Sequence, residues 1–102
     1  MSGDFAIQQW EKYDGDNWWK WAVWIEGRDE DLDRVDFVEW SLHPTFSRPV
    51  RVIRDRGSRF RLETAGWGGF QILALVQTKD GEQIKLRHQL VLYYPAGVKM
   101  TE

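Results

Sequence analysis

The sequence contains no cysteine, which excludes both a disulfide framework and a thiolate metal site. It also has no apolar run close to the roughly 20 residues that a membrane-spanning helix needs. Its first four residues show neither the basic nor the apolar region of a secretory signal peptide. These absences predict a protein of the reducing cytoplasm that makes no membrane contact.

Catalytic signatures are equally scarce. The sequence has no Gly-x-Ser-x-Gly elbow, no phosphate-binding glycine loop and no thiol nucleophile. Ser41 and His43 lie two residues apart on one strand face, but no acid is placed to orient the imidazole. His43 and His88 fall on different predicted elements, and a metal site needs more ligands than these two. We therefore expect a protein that is not an enzyme and that needs no metal or cofactor.

Aromatic side chains, in contrast, are abundant. They make up 15% of the 102 residues, and seven of them are tryptophan. So many large rings exclude a disordered segment. The length suits one domain with a modest core, spanning residues 1–102.

Charge is unevenly distributed along the chain, although the net charge is only −2. Residues 26–39 hold seven acids against two arginines, and residues 48–61 hold six arginines against Asp55 alone. Two interpretations are open: two solvated faces, or a polyanion contact made by the arginines. An overall acidic chain does not favour the second, so we expect no nucleic-acid partner.

Apolar residues alternate with a period of two through most of the chain, as in half-buried strands. The predicted strands cover residues 5–10, 18–26, 37–42, 50–54, 59–63, 70–77 and 84–92. Asp80-Gly81 is a two-residue hairpin signal, and no segment has a capped helical pattern. About seven to eight short strands at this spacing predict an all-β protein, an immunoglobulin-like antiparallel β-sandwich.

Strand order predicts which loops are neighbours. If successive strands run up and down, two strands separate the 43–49 loop from the 64–69 loop. Loops separated by an even number of strands emerge at the same end of a sandwich, and the 11–17 loop falls there too. Loops held on a rigid scaffold are where such folds carry binding residues.

Two of these loops carry the most informative residues of the chain. Leu-His-Pro-Thr-Phe occupies residues 42–46, and Gly-Trp-Gly-Gly-Phe occupies residues 66–70. The first offers a hydroxyl and an imidazole, and the second offers backbone that a ligand can approach closely. Together they predict a narrow aromatic slot for a flat, neutral group.

These segments resemble the YEATS domain, a family of immunoglobulin-fold readers of acylated lysine. Residues 20–25 resemble its first long strand, 38–46 its Leu-His-x-Ser/Thr-aromatic segment, 66–70 its Gly-aromatic-Gly-x-Phe loop, and 86–92 its closing strand. The match covers roughly residues 20–92. The compact chain is more similar to bacterial members, whose ligands are not expected to be histones.

The resemblance implies a non-catalytic module that recognises an acetyl- or crotonyl-type lysine on a peptide or protein. Phe46 and Trp67 would sandwich the amide, Thr45 would accept its N–H, and a backbone N–H near Trp67 would donate to its carbonyl. The predicted ligand-binding residues are His43, Thr45, Phe46, Gly66, Trp67, Gly68, Gly69 and Tyr13, the last as a wall at the rim.

Alternatives accompany these assignments. Phe46 and Trp67 could be core residues, Thr45 could bond to local backbone, and the two glycines could only serve a turn. The whole domain could be an interaction module that kept the fold without binding acyl-lysine. Pro44 stands where the family commonly has a polar or acidic residue. His88 is expected to be a hydrogen-bonded core histidine, and the other tryptophans to be core and sheet surface: Trp18, Trp19, Trp21, Trp24 and Trp40.

Overall fold

The computed structural model of the protein describes residues 5–95. The expectation that residues 1–4 are not part of a signal peptide lies outside this range. Seven strands are present: β1 (Ala6–Gly15), β2 (Trp18–Glu26), β3 (Val35–Ser41), β4 (Val50–Ile53), β5 (Leu62–Gly66), β6 (Gln71–Thr78) and β7 (Gln83–Gln89). One α-helical turn, α1 (Asp29–Leu32), and a 3-10 turn (Arg56–Ser58) complete the described elements. Neither helix is long enough to span a membrane.

The strands form two antiparallel sheets. The smaller sheet has the order β1-β2-β5, and the larger has the order β4-β3-β6-β7. Every pairing between neighbouring strands is antiparallel. The prediction of an immunoglobulin-like antiparallel β-sandwich is therefore confirmed.

The core lies between the sheets and follows from the alternation of side chains along β2 and β3. Trp19 and Trp21 of β2 are buried, as are Val38 and Trp40 of β3. The Trp40 indole N–H donates to the Phe60 carbonyl at 3.0 Å, so this large ring is buried without leaving its donor unpaired. Trp40 is thus the core residue that the alternation predicts.

Several elements differ from those that the sequence predicts, and β7 for example ends at Gln89 rather than at residue 92. β1 continues to Gly15 and occupies most of the expected 11–17 loop. β5 starts at Leu62, because Arg59 and Phe60 both adopt positive φ near +59° and cannot extend a strand. The α1 turn was not predicted, since four residues are too few to show a helical period.

The hairpin at Asp80-Gly81 joins β6 and β7 where the sequence predicts it, but its loop has three residues rather than two. The Thr78 N–H donates to the Glu82 carbonyl at 2.9 Å, and the Gly81 N–H donates to the Thr78 carbonyl at 3.2 Å. Gly81 has a φ of +93°, which closes a type I turn with a bulge.

Three of the six arginines of residues 48–61 pair with acids of residues 26–39. Arg54 contacts Asp36 at 3.2 Å, Arg56 contacts Asp29 at 3.3 Å and Asp33 at 2.9 Å, and Arg59 contacts Glu26 at 3.3 Å. The two oppositely charged segments are therefore partners of one another, which agrees with solvated faces and not with a free polyanion surface.

Candidate functional site

A cavity of about 410 Å³ opens at the end of the sandwich where β3 ends and β6 begins. Its lining comes from the start of β2, the β3–β4 loop, the end of β5 and the β5–β6 loop: Trp18, His43, Thr45, Phe46, Ser47, Ala65, Gly66, Trp67, Gly68, Gly69 and Phe70. The prediction that the two informative loops share one end of the sandwich is confirmed.

The β3–β4 loop is held in shape by its own hydrogen bonds. The Leu42 N–H donates to the Pro49 carbonyl at 2.7 Å and closes the base of the loop. Within it, the Phe46 N–H donates to the His43 carbonyl at 3.0 Å and forms a tight turn. This turn presents Thr45 and Phe46 to the cavity side by side.

His43 determines which way the Thr45 hydroxyl points. The Thr45 backbone N–H donates to His43 Nδ1 at 3.3 Å, so Nδ1 carries a lone pair. In the tautomer with the ring proton on Nε2, the Thr45 hydroxyl, 3.0 Å from the same nitrogen, donates its hydrogen to it. The lone pairs of Thr45 Oγ1 are left as acceptors for a group in the cavity.

Phe46 and Phe70 are half-buried and form the inner aromatic wall. Their ring centroids are 5.5 Å apart, and the buried Trp21 ring packs edge-on against both, at 6.3 Å from Phe46 and 5.8 Å from Phe70. Such tilted and perpendicular pairs are favourable arrangements of aromatic rings. Phe46 thus packs against the core and lines the cavity at the same time.

Trp67 differs from these rings because it is 61% exposed. It sits between Gly66 and Gly68 and lines the cavity. This exposure argues against the interpretation of Trp67 as a core residue, and it leaves ring surface available to a ligand.

The glycines of the β5–β6 loop have separate tasks. A Cβ on Gly69 would lie 2.5 Å from the Leu90 carbonyl oxygen, a clash with backbone. Next to it, the Leu90 N–H donates to the Phe70 carbonyl at 2.9 Å. Gly69 therefore lets the loop pack against the chain after β7, so its close backbone approach is to the protein itself.

Gly66 leaves a small space beside a buried donor. A Cβ on Gly66 would lie 3.6 Å from Trp21 Nε1 and 3.8 Å from Phe46 Cζ, which are ordinary contact distances. Trp21 is 1% exposed, and within residues 5–95 its indole nitrogen has no hydrogen-bond partner. Trp21 was one of the five tryptophans expected in the core and on the sheet surface, and nothing in the local sequence signals an unpaired N–H.

Tyr13 lies outside the set of residues that line this cavity. Because β1 continues past it, Tyr13 pairs with Trp19 of β2 and packs against that ring at 4.9 Å and against Tyr94 at 5.3 Å. Its hydroxyl accepts the Asn17 N–H at 3.1 Å. The structure therefore does not bring Tyr13 to the predicted rim position.

Trp18 takes a place in the lining that the sequence analysis did not foresee. It follows a tight turn in which Asp16 and Asn17 have φ of +55° and +57°. The alternation along β2 turns it away from the buried Trp19 and leaves it 44% exposed. Its position next to the 11–17 turn was the signal that could have identified it.

His88 is a half-buried histidine whose Nε2 lies 2.7 Å from Gln9 Oε1 on the facing sheet. Burial lowers the pKa of His88 below its usual 6.5, since desolvation disfavours the charged ring. The predicted hydrogen bond of His88 is present, but the ring is half-buried and does not belong to the core that the sequence predicted for it. Among residues 5–95, no cluster of three or more His, Asp or Glu side chains could hold a metal ion.

A second cavity, of about 400 Å³, lies at the opposite end of β2. Its lining is mostly charged: Trp24, Glu26, Asp29, Arg56, Gly57, Ser58, Arg59 and Arg61. The arginines here already pair with acids, and the Arg61 guanidinium lies 5.0 Å from the centre of the Trp24 ring. Its groups are therefore satisfied within the protein.

Solved structures of known proteins share this fold. A crystal structure of the Yaf9 YEATS domain bound to H3K27ac superposes with a TM-score of 0.72 at 23% identity, over 98% of this chain and 82% of that one. A crystal structure of the yeast AF-9 homolog protein Yaf9 superposes with a TM-score of 0.64 at 29% identity, over 80% of this chain and 59% of that one.

A sequence relative and a family profile carry the comparison further. Transcription initiation factor TFIID subunit 14 of Schizosaccharomyces pombe is 35% identical over 66 residues, which are 64% of this chain. The chain spans only about a quarter (27%) of the length of that relative. The profile of the prokaryotic YEATS domain matches residues 19–91, which include β3 to β7 and all but the first residue of β2, and the chain therefore belongs to the prokaryotic YEATS domain family.

Proposed function

We propose that this domain is a non-catalytic binding module that recognises an acylated lysine side chain in the cavity between the β3–β4 and β5–β6 loops. The observation that carries the proposal is a hydrogen-bond acceptor in an aromatic cavity. His43 accepts the hydrogen of the Thr45 hydroxyl, so the lone pairs of Thr45 Oγ1 are available to a donor in the cavity. The Yaf9 YEATS domain, which shares this fold, is bound to H3K27ac in one crystal structure.

The chemistry of an acylated lysine fits these groups. Acylation replaces a strongly hydrated ammonium with a planar, neutral amide that has one N–H and one carbonyl. Leaving either unpaired when buried costs about 1–3 kcal/mol. Thr45 Oγ1 accepts the amide N–H, and a backbone N–H of the Trp67 segment donates to the carbonyl.

The rings provide the remaining contacts. Trp67 and Phe46 cover the two faces of the flat amide, which gains dispersion and buries apolar surface. Unmodified lysine would bring its charge into the same cavity, which holds no carboxylate. The desolvation of that charge exceeds the cation–π attraction of the rings, so the module discriminates against the ammonium.

The cavity has room for the group. Its volume of about 410 Å³ lies within the range of pockets that enclose small ligands. The acylated lysine is proposed to be part of a peptide or protein. The length of acyl chain that the cavity accepts can be measured with a series of acylated peptides.

Calorimetric titration with three peptides of one sequence tests the proposal, with the central lysine acetylated, crotonylated or unmodified. Both acylated peptides are expected to bind, and the unmodified one to bind at least about tenfold more weakly. Chemical shifts of Thr45, Phe46 and Trp67 should move only with the acylated peptides. Equal binding of all three, or none at all, would overturn the proposal and leave an interaction module that uses another surface.

A further inference from the structure

The six arginines of residues 48–61 divide into two groups. Four of them have a carboxylate oxygen within 3.3 Å: Arg54, Arg56, Arg59 and Arg61. The other two, Arg48 and Arg51, have no acidic partner among residues 5–95. A guanidinium without a counter-ion can form charge-assisted hydrogen bonds to a carboxylate of a ligand, provided that the ligand comes near it.

Both of these arginines lie beside the cavity. Arg48 directly follows Ser47, which lines the cavity. The Arg51 guanidinium lies 5.7 Å from the centre of the ring of Phe46, another lining residue. Arg48 is exposed and Arg51 is half-buried, so neither residue is closed off from solvent. A peptide that leaves the cavity past the β3–β4 loop therefore meets these two side chains.

Arg51 is held in place by a single bond to the backbone. Its Nε–H donates to the Arg48 carbonyl at 2.9 Å, which fixes the guanidinium beside the Phe46 ring. An arginine has five N–H donors, so the four on the two Nη atoms remain for another group. A carboxylate can accept two such donors at once, in the bidentate arrangement that gives arginine pairs their geometric specificity.

The two loops that form the cavity contain no acid that would counter this charge. Residues 40–54 and residues 64–79 include neither Asp nor Glu. On the β2 side, the acids of the preceding turn are Asp14 and Asp16, and Asp14 is paired with Lys20 at 3.7 Å. The side of the cavity formed by the β3–β4 loop is therefore positively charged, and it attracts an acidic segment and repels a basic one.

We propose that the segment carrying the acylated lysine is acidic, and that Arg51 and Arg48 bind a carboxylate a few residues away from that lysine. This inference rests on the proposed function and names the class of partner for the same cavity. Two guanidinium groups suit one or two carboxylates, whereas a protein that follows a nucleic-acid backbone makes many more contacts to phosphates. A basic segment places its charge against the same arginines and binds more weakly.

Acetyl-lysine peptides of one sequence test the proposal. Two neighbouring flank positions carry Glu, Gln or Lys, on the N-terminal side of the acetylated lysine in one set and on its C-terminal side in the other. At low salt, we expect the Glu peptide of at least one set to bind about three- to fivefold more tightly than its Gln counterpart, the scale of an exposed ion pair. The Lys peptide of that set should bind more weakly than the Gln peptide. Calorimetric titration measures these affinities, and added salt should reduce the differences.

Variants locate the preference. Arg51→Gln should lower the preference for the Glu peptide, and the double variant with Arg48→Gln should abolish it. The readout is the ratio of the Glu and Gln affinities, which a general disturbance of the cavity would leave unchanged. Arg54→Gln is the matched control, because it removes the same charge from a guanidinium that lies 4.8 Å from the Phe37 ring centre and already pairs with Asp36. This control should keep the preference.

Three results would overturn this inference alone: equal affinities of the Glu and Gln peptides in both sets, tightest binding of a Lys peptide, or a preference that persists in the double variant. A single-stranded DNA oligonucleotide that binds at least as tightly as the Glu peptide, and no longer binds the double variant, would also overturn it and assign the arginines to nucleic acid. Failure of every acetylated peptide to bind would instead overturn the proposed function.

Discussion

The two ends of the sandwich hold cavities of nearly equal volume, about 410 and 400 Å³, but with opposite chemistry. At the end built around Arg56, charged groups pair with each other across the α1 turn and the 3-10 turn. At the other end, Trp67 is exposed, the Thr45 oxygen keeps free lone pairs, and Trp21 Nε1 has no partner among the described residues.

Two cavities of nearly equal volume therefore differ in whether their polar groups are already paired within the protein, which volume alone does not show. Charged groups that already form ion pairs with each other contribute little binding free energy to a ligand, because those ion pairs must be broken before the ligand can bind. The cavity between the β3–β4 and β5–β6 loops instead uses its internal bonds to position groups that remain available.

Replacing one tryptophan by alanine at each end of the sandwich should show which of the two cavities binds an acylated peptide. Trp67→Ala is expected to weaken acyl-peptide binding by about 30-fold or more, the scale of a central aromatic contact. The melting temperature of the Trp67→Ala variant should stay near that of the unsubstituted domain, because the Trp67 ring is 61% exposed. Titration calorimetry and thermal unfolding measure the two quantities.

Trp24→Ala is the matched control, since Trp24 lines the charged cavity, and it should leave acyl-peptide binding unchanged. Trp40→Ala marks the cost of a true core ring, about 3–5 kcal/mol of unfolding free energy. If Trp67→Ala destabilised the fold to a similar degree, its ring would belong to the core after all.

Removing the Thr45 hydroxyl should test whether its oxygen accepts a hydrogen bond from the ligand. Thr45→Val keeps the shape of the side chain but loses the oxygen, so binding should weaken about five- to tenfold. Thr45→Ser should retain most of the affinity, because its hydroxyl can donate to His43 Nδ1 in the same way. Calorimetric titration with one acetylated peptide measures both.

The corresponding hydroxyl at the charged end belongs to Ser58, which donates to the Asp55 carbonyl and accepts the Arg61 N–H. Ser58→Ala should therefore lower stability slightly and leave binding as it is. Equal affinities of Thr45→Val and the parent domain would show that the Thr45 oxygen takes no part.

Removing ion pairs at the charged end should lower the free energy of unfolding and leave acyl-peptide affinity unchanged. Arg56→Ala removes contacts to Asp29 and Asp33, and we expect a loss of at most about 1 kcal/mol of unfolding free energy, since the pairs are exposed. Urea unfolding at low and high salt measures it, and salt should reduce the difference. A marked fall in acyl-peptide affinity would show that the two ends are coupled.

The smallest effect concerns His88, which lies between the sheets rather than in the lining of either cavity. Burial lowers its pKa below the usual 6.5, so the folded protein binds this proton less readily than the unfolded chain. Stability should therefore decrease as pH falls through about 6.5 and level off below the lowered pKa. Urea unfolding from pH 7.5 to 5 measures the trend.

His88→Gln replaces the ring with an amide that can still donate to Gln9, and it should remove that part of the pH dependence. An unchanged pH profile in this variant would assign the trend to other groups.

Much of the fold could be predicted because strands record their environment locally. The alternation along β2 placed Trp19 and Trp21 on one face, which the structure buries, and strand parity placed the two informative loops together. The same alternation could not show that Phe60 turns left-handed and delays β5, since that conformation depends on the Asp55 carbonyl that accepts its N–H.

The cavity was less predictable than the fold. Spacing placed Thr45, Phe46 and Trp67 in its lining. It misplaced Tyr13, because strand length is decided by pairing between β1 and β2 and not by the β1 segment alone. It overlooked Trp18, which the alternation along β2 turns away from the buried Trp19 and leaves exposed at the cavity.

By itself, the sequence determined which residues alternate, which loops share an end, and which motifs identify the YEATS family, because these properties depend on order and spacing along the chain. Tertiary structure decided the rest. Whether Trp21 Nε1 has a partner, where the Thr45 hydroxyl points and which arginines are neutralised depend on atoms brought together from distant segments. Hydrogen bonds and ion pairs act over a few ångströms in space, whatever the separation along the chain.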